Sequence, residues 1–392
     1  MTSAPDRPLR VCFVANGQTP HGVTRAEALA RAGVEVRFVT IGPVLPNTLG
    51  AASAPLPRGP LGAVRAFVSF FREIREFKPD LLHLHYAGGR LGTLAHLAAV
   101  HPFVVSVIGG DVLPEQHEGG FPEAERRATD LILEDADLIL AKSDRLRSRL
   151  LELGPYAEKT EVVRWGIDST FFRRDEAGRA RLRERFGRKA SDRIILSPRS
   201  LQPLYNIDVI VEAFARLAST DPGLFLAITE TGVSPAYRES IHRQVESRGL
   251  RERVQFWGRF DRSELPALYS AADLVVSIPR SDGLPQSLFE AMACETPTIL
   301  GDLEAYRELA SPGDGVLYAP IEAAGLAEVL AGQTSASLHD LGARGRKRIL
   351  AVADLRSEAV RVRGFYEHLV TMPRKRRRPR IGEAWSLLPR SL

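Results

Sequence analysis

The stretch Ser281-Asp-Gly-Leu-Pro-Gln-Ser-Leu-Phe-Glu290-Ala-Met-Ala decides how this chain reads. A Gly-Leu-Pro turn runs into a helix predicted to open at Gln286. Gly283 can take backbone angles closed to other residues. Pro285 fixes its own φ at or just before the first helical turn, where a missing N–H costs nothing. The free N–H groups of that turn, backed by the helix dipole, make an anion site to which Leu284, Pro285, Gln286 and Ser287 contribute backbone. Glu290 lies one turn in, on the face that looks back toward the site, and Asp282 stands on the other side of the turn. Amides that hold phosphate, flanked by carboxylates that hold hydroxyls, suit a phosphorylated sugar.

The pattern on either side is α/β. In the first half, short apolar strands are predicted at 10–15, 35–41, 81–85, 103–108, 138–141 and 161–164, with helices at 25–32, 61–77, 91–100, 122–135 and 143–153. The second half repeats the scheme, with strands at 194–197, 224–229, 254–257, 274–277, 298–300 and 315–318. Its helices are predicted at 207–218, 235–248, 263–270 and 287–294, followed by a helical run from 321 to 369. Apolar strands alternating with helices give a parallel sheet covered on both faces. The fold class is α/β: two doubly wound, Rossmann-like domains facing across a cleft, with ligands at the carboxyl ends of the strands. The predicted domains are 1–172 and 173–354, with 371–392 as a basic, disordered tail.

A chain of 392 residues is long enough for two cores. Its two cysteines, Cys12 and Cys294, fall in an apolar strand and an apolar helix and read as buried thiols of a reducing compartment. The polar start argues against a signal peptide. The uncharged stretch 91–110 is long enough for a bilayer, yet His96, His101 and Pro102 break it into a buried helix, a turn and a buried strand. The net charge of +5 is concentrated in the tail, where residues 373–392 hold six Arg and one Lys against one Glu. The rest of the chain is near neutral, so nucleic acid is not expected as a ligand. The cluster Arg374–Arg380 is suited to an anionic membrane surface, with a solvated tail as the alternative. The phenylalanines and arginines of 61–78 belong to a helix packed on its sheet, or to one lying on an anionic bilayer. The expected location is cytoplasmic, including the inner face of the membrane.

The segment Asp282-x7-Glu290, with the run from Ala272 to Leu300 around it, resembles the E-x7-E region of retaining glycosyltransferases of family 4, which have the GT-B fold. The connector Gly166-Ile-Asp168…Phe172 resembles the family's link between domains, and the resemblance extends from Val11 to Leu369. It implies that a helix at about 355–370 crosses back onto the first domain. It also implies a nucleotide-sugar donor, a glycan or lipid-linked acceptor, and no metal or other cofactor. Glu290 then holds ribose and Asp282 the donor sugar. Arg199, in Ser-Pro-Arg199, holds the diphosphate. Gly258-Arg259-Phe260 reads the base through its backbone, and Gly17 comes close to the donor. Catalytic roles fall to Asp282, Asp111 and Arg199, and the acceptor side to His21, His85 and Asp111.

The chain departs from the family pattern at three points. Asp282 stands for a Glu, Tyr205 or Asn206 for a Lys after Arg199, and Ile108 for the His of a His-Gly-x-Asp turn. These departures keep two other readings open: a nucleotide-sugar-binding protein without turnover, and an epimerase acting on the donor alone. His83 reads as a packed core histidine. Asp135-Ala-Asp137 spans a helix end and a strand start, so its two acids are expected not to converge.

Overall fold

The structure is a computed structural model that describes residues 7–46, 48–54, 59–117 and 120–373. The chain divides into two units, one running to Trp165 and resuming at Leu355, the other Gly166–Asp354. The division falls just before the Gly166-Ile-Asp168 connector, rather than after Phe172. The basic cluster 374–380 lies outside the described residues.

The first unit is a seven-stranded parallel sheet. Its elements are β1 (Arg10–Val14), α1 (Pro20–Arg31), β2 (Glu35–Ile41), β3 (Ala51–Ala54), α2 (Gly59–Phe77), β4 (Leu81–His85), α3 (Gly89–Leu97), β5 (Phe103–Val107), α4 (Glu123–Asp135), β6 (Leu138–Ala141), α5 (Asp144–Leu153) and β7 (Thr160–Val162). The strand order is β3-β2-β1-β4-β5-β6-β7, so the winding reverses between β1 and β4. Strands of a sheet covered on both faces are buried along their length, as β1, β4 and β5 are; the polar residues inside β4 and β5, His83, His85 and Ser106, are buried with them. Helix α2 turns Phe70, Ile74 and Phe77 into the core, while Leu61, Val64 and Val68 face outward.

The second unit contains α6 (Glu176–Arg185), β8 (Arg193–Ser197), α7 (Ile207–Ala218), β9 (Leu224–Thr229), α8 (Pro235–Ser247), β10 (Val254–Gly258), α9 (Leu265–Ala271), β11 (Leu274–Ser277), α10 (Gln286–Ala293), β12 (Thr298–Gly301), α11 (Glu304–Arg307), β13 (Val316–Ala319), α12 (Ala323–Ala331) and α13 (Ser335–Val352). The order is β10-β9-β8-β11-β12-β13, again all parallel, reversing between β8 and β11. The last helix, α14 (Leu355–Thr371), belongs to the first unit. It buries Leu355, Ala359, Val362 and Tyr366 in the core beside α1. Helix α3, the turn at Pro102 and strand β5 occupy the uncharged stretch. Among the described residues no helix is long and apolar enough to cross a membrane. Both cysteines are buried and free.

Candidate active site

In an open α/β sheet, ligands gather at the carboxyl ends of the strands where the winding reverses. In the second unit that point lies between β8 and β11, and the residues after these two strands are Arg199 and the turn before α10. Nη2 of Arg199 is 2.7 Å from Oδ2 of Asp282, and both side chains are about nine-tenths buried. The same carboxylate accepts hydrogen bonds from the Tyr306 hydroxyl at 3.0 Å and from the Leu284 N–H at 3.2 Å. A single acid therefore ties the guanidinium to the turn. Burial alone would make Arg199 easier to deprotonate; the charge of Asp282, helped by Tyr306 and Tyr205, outweighs it and keeps the guanidinium firmly protonated. Its Nη1 is buried without a hydrogen-bond partner.

Helix α10 opens with Pro285 as N-cap and without a capping side chain, so its first N–H groups are left for other acceptors. A positive φ in this turn is carried by Leu284 (φ 121°), whose side chain is buried. The sequence reading placed the unusual angle at Gly283. A non-glycine residue holds such an angle only where its surroundings impose it, and here Asp282 binds the Leu284 N–H. Gln286 reaches back to donate to the Gly166 carbonyl at 3.1 Å. Glu290 is buried and accepts from the Tyr269 hydroxyl at 2.7 Å. Burial and then Glu290 push the Tyr269 phenol well up, so it serves as a donor. Tyr306 behaves alike through burial and Asp282.

Arg259 and Phe260 follow β10, which β9 and β8 separate from β11. Arg259 is exposed and Phe260 packs near Phe186. The structure therefore brings Arg199, Asp282 and the 283–287 turn together and leaves Arg259 and Phe260 at the sheet edge. Three tyrosines surround the site: Tyr205, which the sequence marks only as a replacement for a Lys, and Tyr269 and Tyr306, which it does not mark. They come from three separate elements, and no spacing in the chain links them.

The first unit has its own cavity at its switch point, of about 470 Å³. Asn16, Thr19 and His21 line it from the β1 side, His85, Tyr86 and Arg90 from the β4 side, and Ile108 follows β5. It thus unites His21 and His85, the two histidines expected on the acceptor side. No carboxylate is among these described lining residues. His85 is bonded to Arg25, whose Nη1 lies 2.7 Å from Nε2 of the ring. Arg25 is itself buried, with the Trp165 ring 5.4 Å from its Cζ. Burial pulls Arg25 down to about 9. Burial and then Arg25, His83, His21 and Lys142 hold His85 well below its usual range, as a neutral imidazole.

Two of the predicted site residues are enclosed within the first unit. Asp111 is fully buried and accepts hydrogen bonds from the N–H groups of Ala87, Ile108 and Gly109 at 3.0, 3.1 and 2.8 Å. Burial pushes its carboxyl up, and these donors pull it partly back. Its carboxylate pins the loops after β4 and β5, which shapes the cavity, and its hydrogen bonds go to backbone N–H groups. Gly17 is buried as well. A Cβ there would meet the Pro43 carbonyl oxygen at 2.8 Å, so the glycine makes room for the chain itself.

Outside both sites, His83 is fully buried and bonded to the Tyr366 hydroxyl and to Ser106 Oγ. The two acids of Asp135-Ala-Asp137 converge after all, on one ring: Nε2 of His101 is 3.6 Å from Asp135 and Nδ1 is 2.7 Å from Asp137. Among the described residues no group of three or more His, Cys, Asp or Glu is arranged to hold a metal.

Two family models match the chain. The "Glycosyl transferase 4-like domain" covers residues 16–166 and "Glycosyl transferases group 1" covers 178–348. The chain belongs to the family 4-type glycosyltransferases. It is 30% identical to D-inositol 3-phosphate glycosyltransferase 2 of Catenulispora acidiphila, over 68% of this chain and 64% of the relative. It is 32% identical to a GDP-mannose-dependent alpha-(1-6)-phosphatidylinositol monomannoside mannosyltransferase of Mycolicibacterium smegmatis, over 54% of this chain and 55% of that one. The chain thus spans less than two thirds of the length of these curated relatives. Among solved structures, Anabaena HepE in complex with UDP and glucose matches with a TM-score of 0.77 at 17% identity, covering 92% of this chain and all of that one. Sucrose-phosphate synthase from Thermosynechococcus elongatus gives a TM-score of 0.78 at 22% identity, over 92% and 99% of the two chains. These likenesses show a shared GT-B fold.

Proposed function

We propose that this chain transfers a sugar from a nucleoside diphosphate sugar to a hydroxyl of a glycan or lipid-linked acceptor, with retention at the anomeric carbon and without a metal. The observation that carries the reading is Arg199. It is a buried, firmly charged guanidinium with one unpartnered nitrogen, tied by Asp282 to the turn that opens an uncapped helix. The diphosphate of the donor lies against the N–H groups of Gly283, Gln286 and Ser287 and against Arg199. Glu290, oriented by Tyr269, takes the ribose, and Asp282 faces the sugar. As the bond to the sugar breaks, negative charge grows on the departing diphosphate. Fixed donors already aimed at that charge stabilise it without reorganising.

The acceptor falls to the cavity of the first unit. Its basic neighbours, Arg90 at the wall and Arg25 behind His85, favour an acceptor that carries negative charge. The names of the two relatives, a D-inositol 3-phosphate glycosyltransferase and a phosphatidylinositol monomannoside mannosyltransferase, agree with a phosphate-bearing acceptor.

A thermal-shift screen of the full chain against nucleoside diphosphate sugars tests the donor half. The expected result is a stabilising shift with one base, abolished in Glu290→Ala. A shift that survives in Glu290→Ala places the pocket elsewhere. One observation favours the second reading, a binder without turnover: Asp282 is already engaged by Arg199 and Tyr306. Tight donor binding with no nucleotide release under a broad screen of phosphorylated and lipid-linked acceptors would select it. Conversion of the donor alone, with no acceptor present, would select the epimerase.

A further inference from the structure

Arg199 is held at an edge and across a face. Asp282 takes the edge through Nη2. The face lies over the ring of Tyr205, with Cζ 4.5 Å from the ring centroid. An aromatic ring attracts a cation on its face, and more strongly where water is excluded. Tyr205 is itself fixed in place. It ends the tight turn Pro203–Tyr205, and the next residue, Asn206, takes a left-handed angle of φ 51°. The Asn206 amide donates to the Ile278 carbonyl at 2.7 Å, and the Arg280 N–H donates to the Leu204 carbonyl at 3.0 Å. The turn is thus anchored, at its middle and just past its end, to the segment that leads into Asp282. The ring and the carboxylate that hold Arg199 rest on the same stretch of backbone. With one nitrogen on Asp282 and one face on Tyr205, the guanidinium keeps Nη1 buried and without a partner.

We propose that Tyr205 is a positioning residue that presents Nη1 of Arg199 to the donor's diphosphate and so sets the preference for a diphosphate over a monophosphate. The proposal rests on the donor reading above. Lysine after this arginine would add a second, mobile charge. Tyrosine adds no charge and fixes the direction of the one already there.

The test is calorimetric titration of the full chain with uridine, guanosine and adenosine mono- and diphosphates, first to find the base. Tyr205→Leu should weaken the diphosphate about tenfold and leave the matching monophosphate within about twofold. Tyr205→Phe drops the hydroxyl that also interacts with Arg199 and keeps the ring; it should keep the wild-type ratio, and a ratio as low as that of Tyr205→Leu overturns the role of the ring. If Tyr205→Leu fails to fold, as judged by its melting curve, Tyr205→Gln takes its place, with the same expectation. An unchanged ratio of di- to monophosphate affinity in a folded ringless variant overturns the proposal, as does equal weakening of both nucleotides. A wild-type chain that binds none of these nucleotides overturns the donor reading and the proposal together. Wild-type binding with an unchanged variant ratio removes only the role of Tyr205.

Discussion

Two buried arginines, one beside the switch point of each sheet, differ in what they touch. Arg199 in the second unit meets a carboxylate at 2.7 Å. Arg25 in the first meets an imidazole at 2.7 Å and an indole face, and among the described residues no carboxylate pairs with it. Burial favours the neutral form of both. In Arg199 the acid reverses that effect, while in Arg25 nothing does, and its proton affinity falls. The two units share a topology, so the fold does not set this difference; the partner does. A paired charge is part of the protein's own structure. A charge left without an acid is an invitation to an anion that arrives from outside.

The largest effect should follow from breaking the pair. Arg199→Met leaves Asp282 buried without its counter-ion, which costs about 3 kcal/mol of stability. It also removes a fixed donor to the leaving group, which lowers kcat about 100-fold. Thermal melts and nucleotide release under saturating acceptor measure both, and a variant that melts with the wild type would dissolve the contrast.

Mild acid should act next, and on the first unit. Burial and then Arg25 hold His83 down to about 3, against 6.5 for a free histidine. The unfolded chain therefore takes up this proton first. The stability that His83 contributes is fully present above pH 6.5 and is lost as pH falls toward 3, at about 1.4 kcal/mol per pH unit. His85 is held down in the same way and adds to the slope; chemical denaturation at a series of pH values should show it, and His83→Asn should lower it by one proton's share, about 1.4 kcal/mol per pH unit.

The smallest stability change belongs to Arg25→Met. Exchanging a buried charge without an acid for an apolar side chain of similar length should leave the melting temperature at or above that of the wild type. The same variant should raise the KM for acceptor and leave that for donor alone. If it melts as early as Arg199→Met, the two arginines are alike in their dependence on partners.

The alternating pattern of the chain was legible because parallel strands must be apolar on both faces. The predicted β1, β4, β5 and β11 appear within a residue or two of their places. β3 was not legible: Ala51-Ala-Ser-Ala has no β-branched or aromatic residue and forms a strand by pairing with β2 at the sheet edge. Within the helical run 321–369 only the last helix, at about 355–370, is marked off beforehand; the apolar residues before it hardly pause, yet they form two helices, α12 and α13. A capping box of Thr334 and Ser337 starts α13, and this was the signal to read. At the site, Asp282, Glu290 and Arg199 could be picked out because their spacing or strand-end position marks them. Asp111 shares that kind of position and does something else, since only the folded loops reveal that three N–H groups surround it. Tyr269 and Tyr306 leave no pattern, because each meets its carboxylate across a gap of 21 or 24 residues that folding alone closes.

The bond between Tyr366 and His83 has a consequence for how this protein is made. The first sheet leaves the ribosome early, but a wall of its core, Leu355 to Tyr366 of α14, is translated only after every residue of the second unit. The first unit must therefore wait, with that wall open, while its neighbour is synthesised. A stop codon anywhere in the second unit damages both.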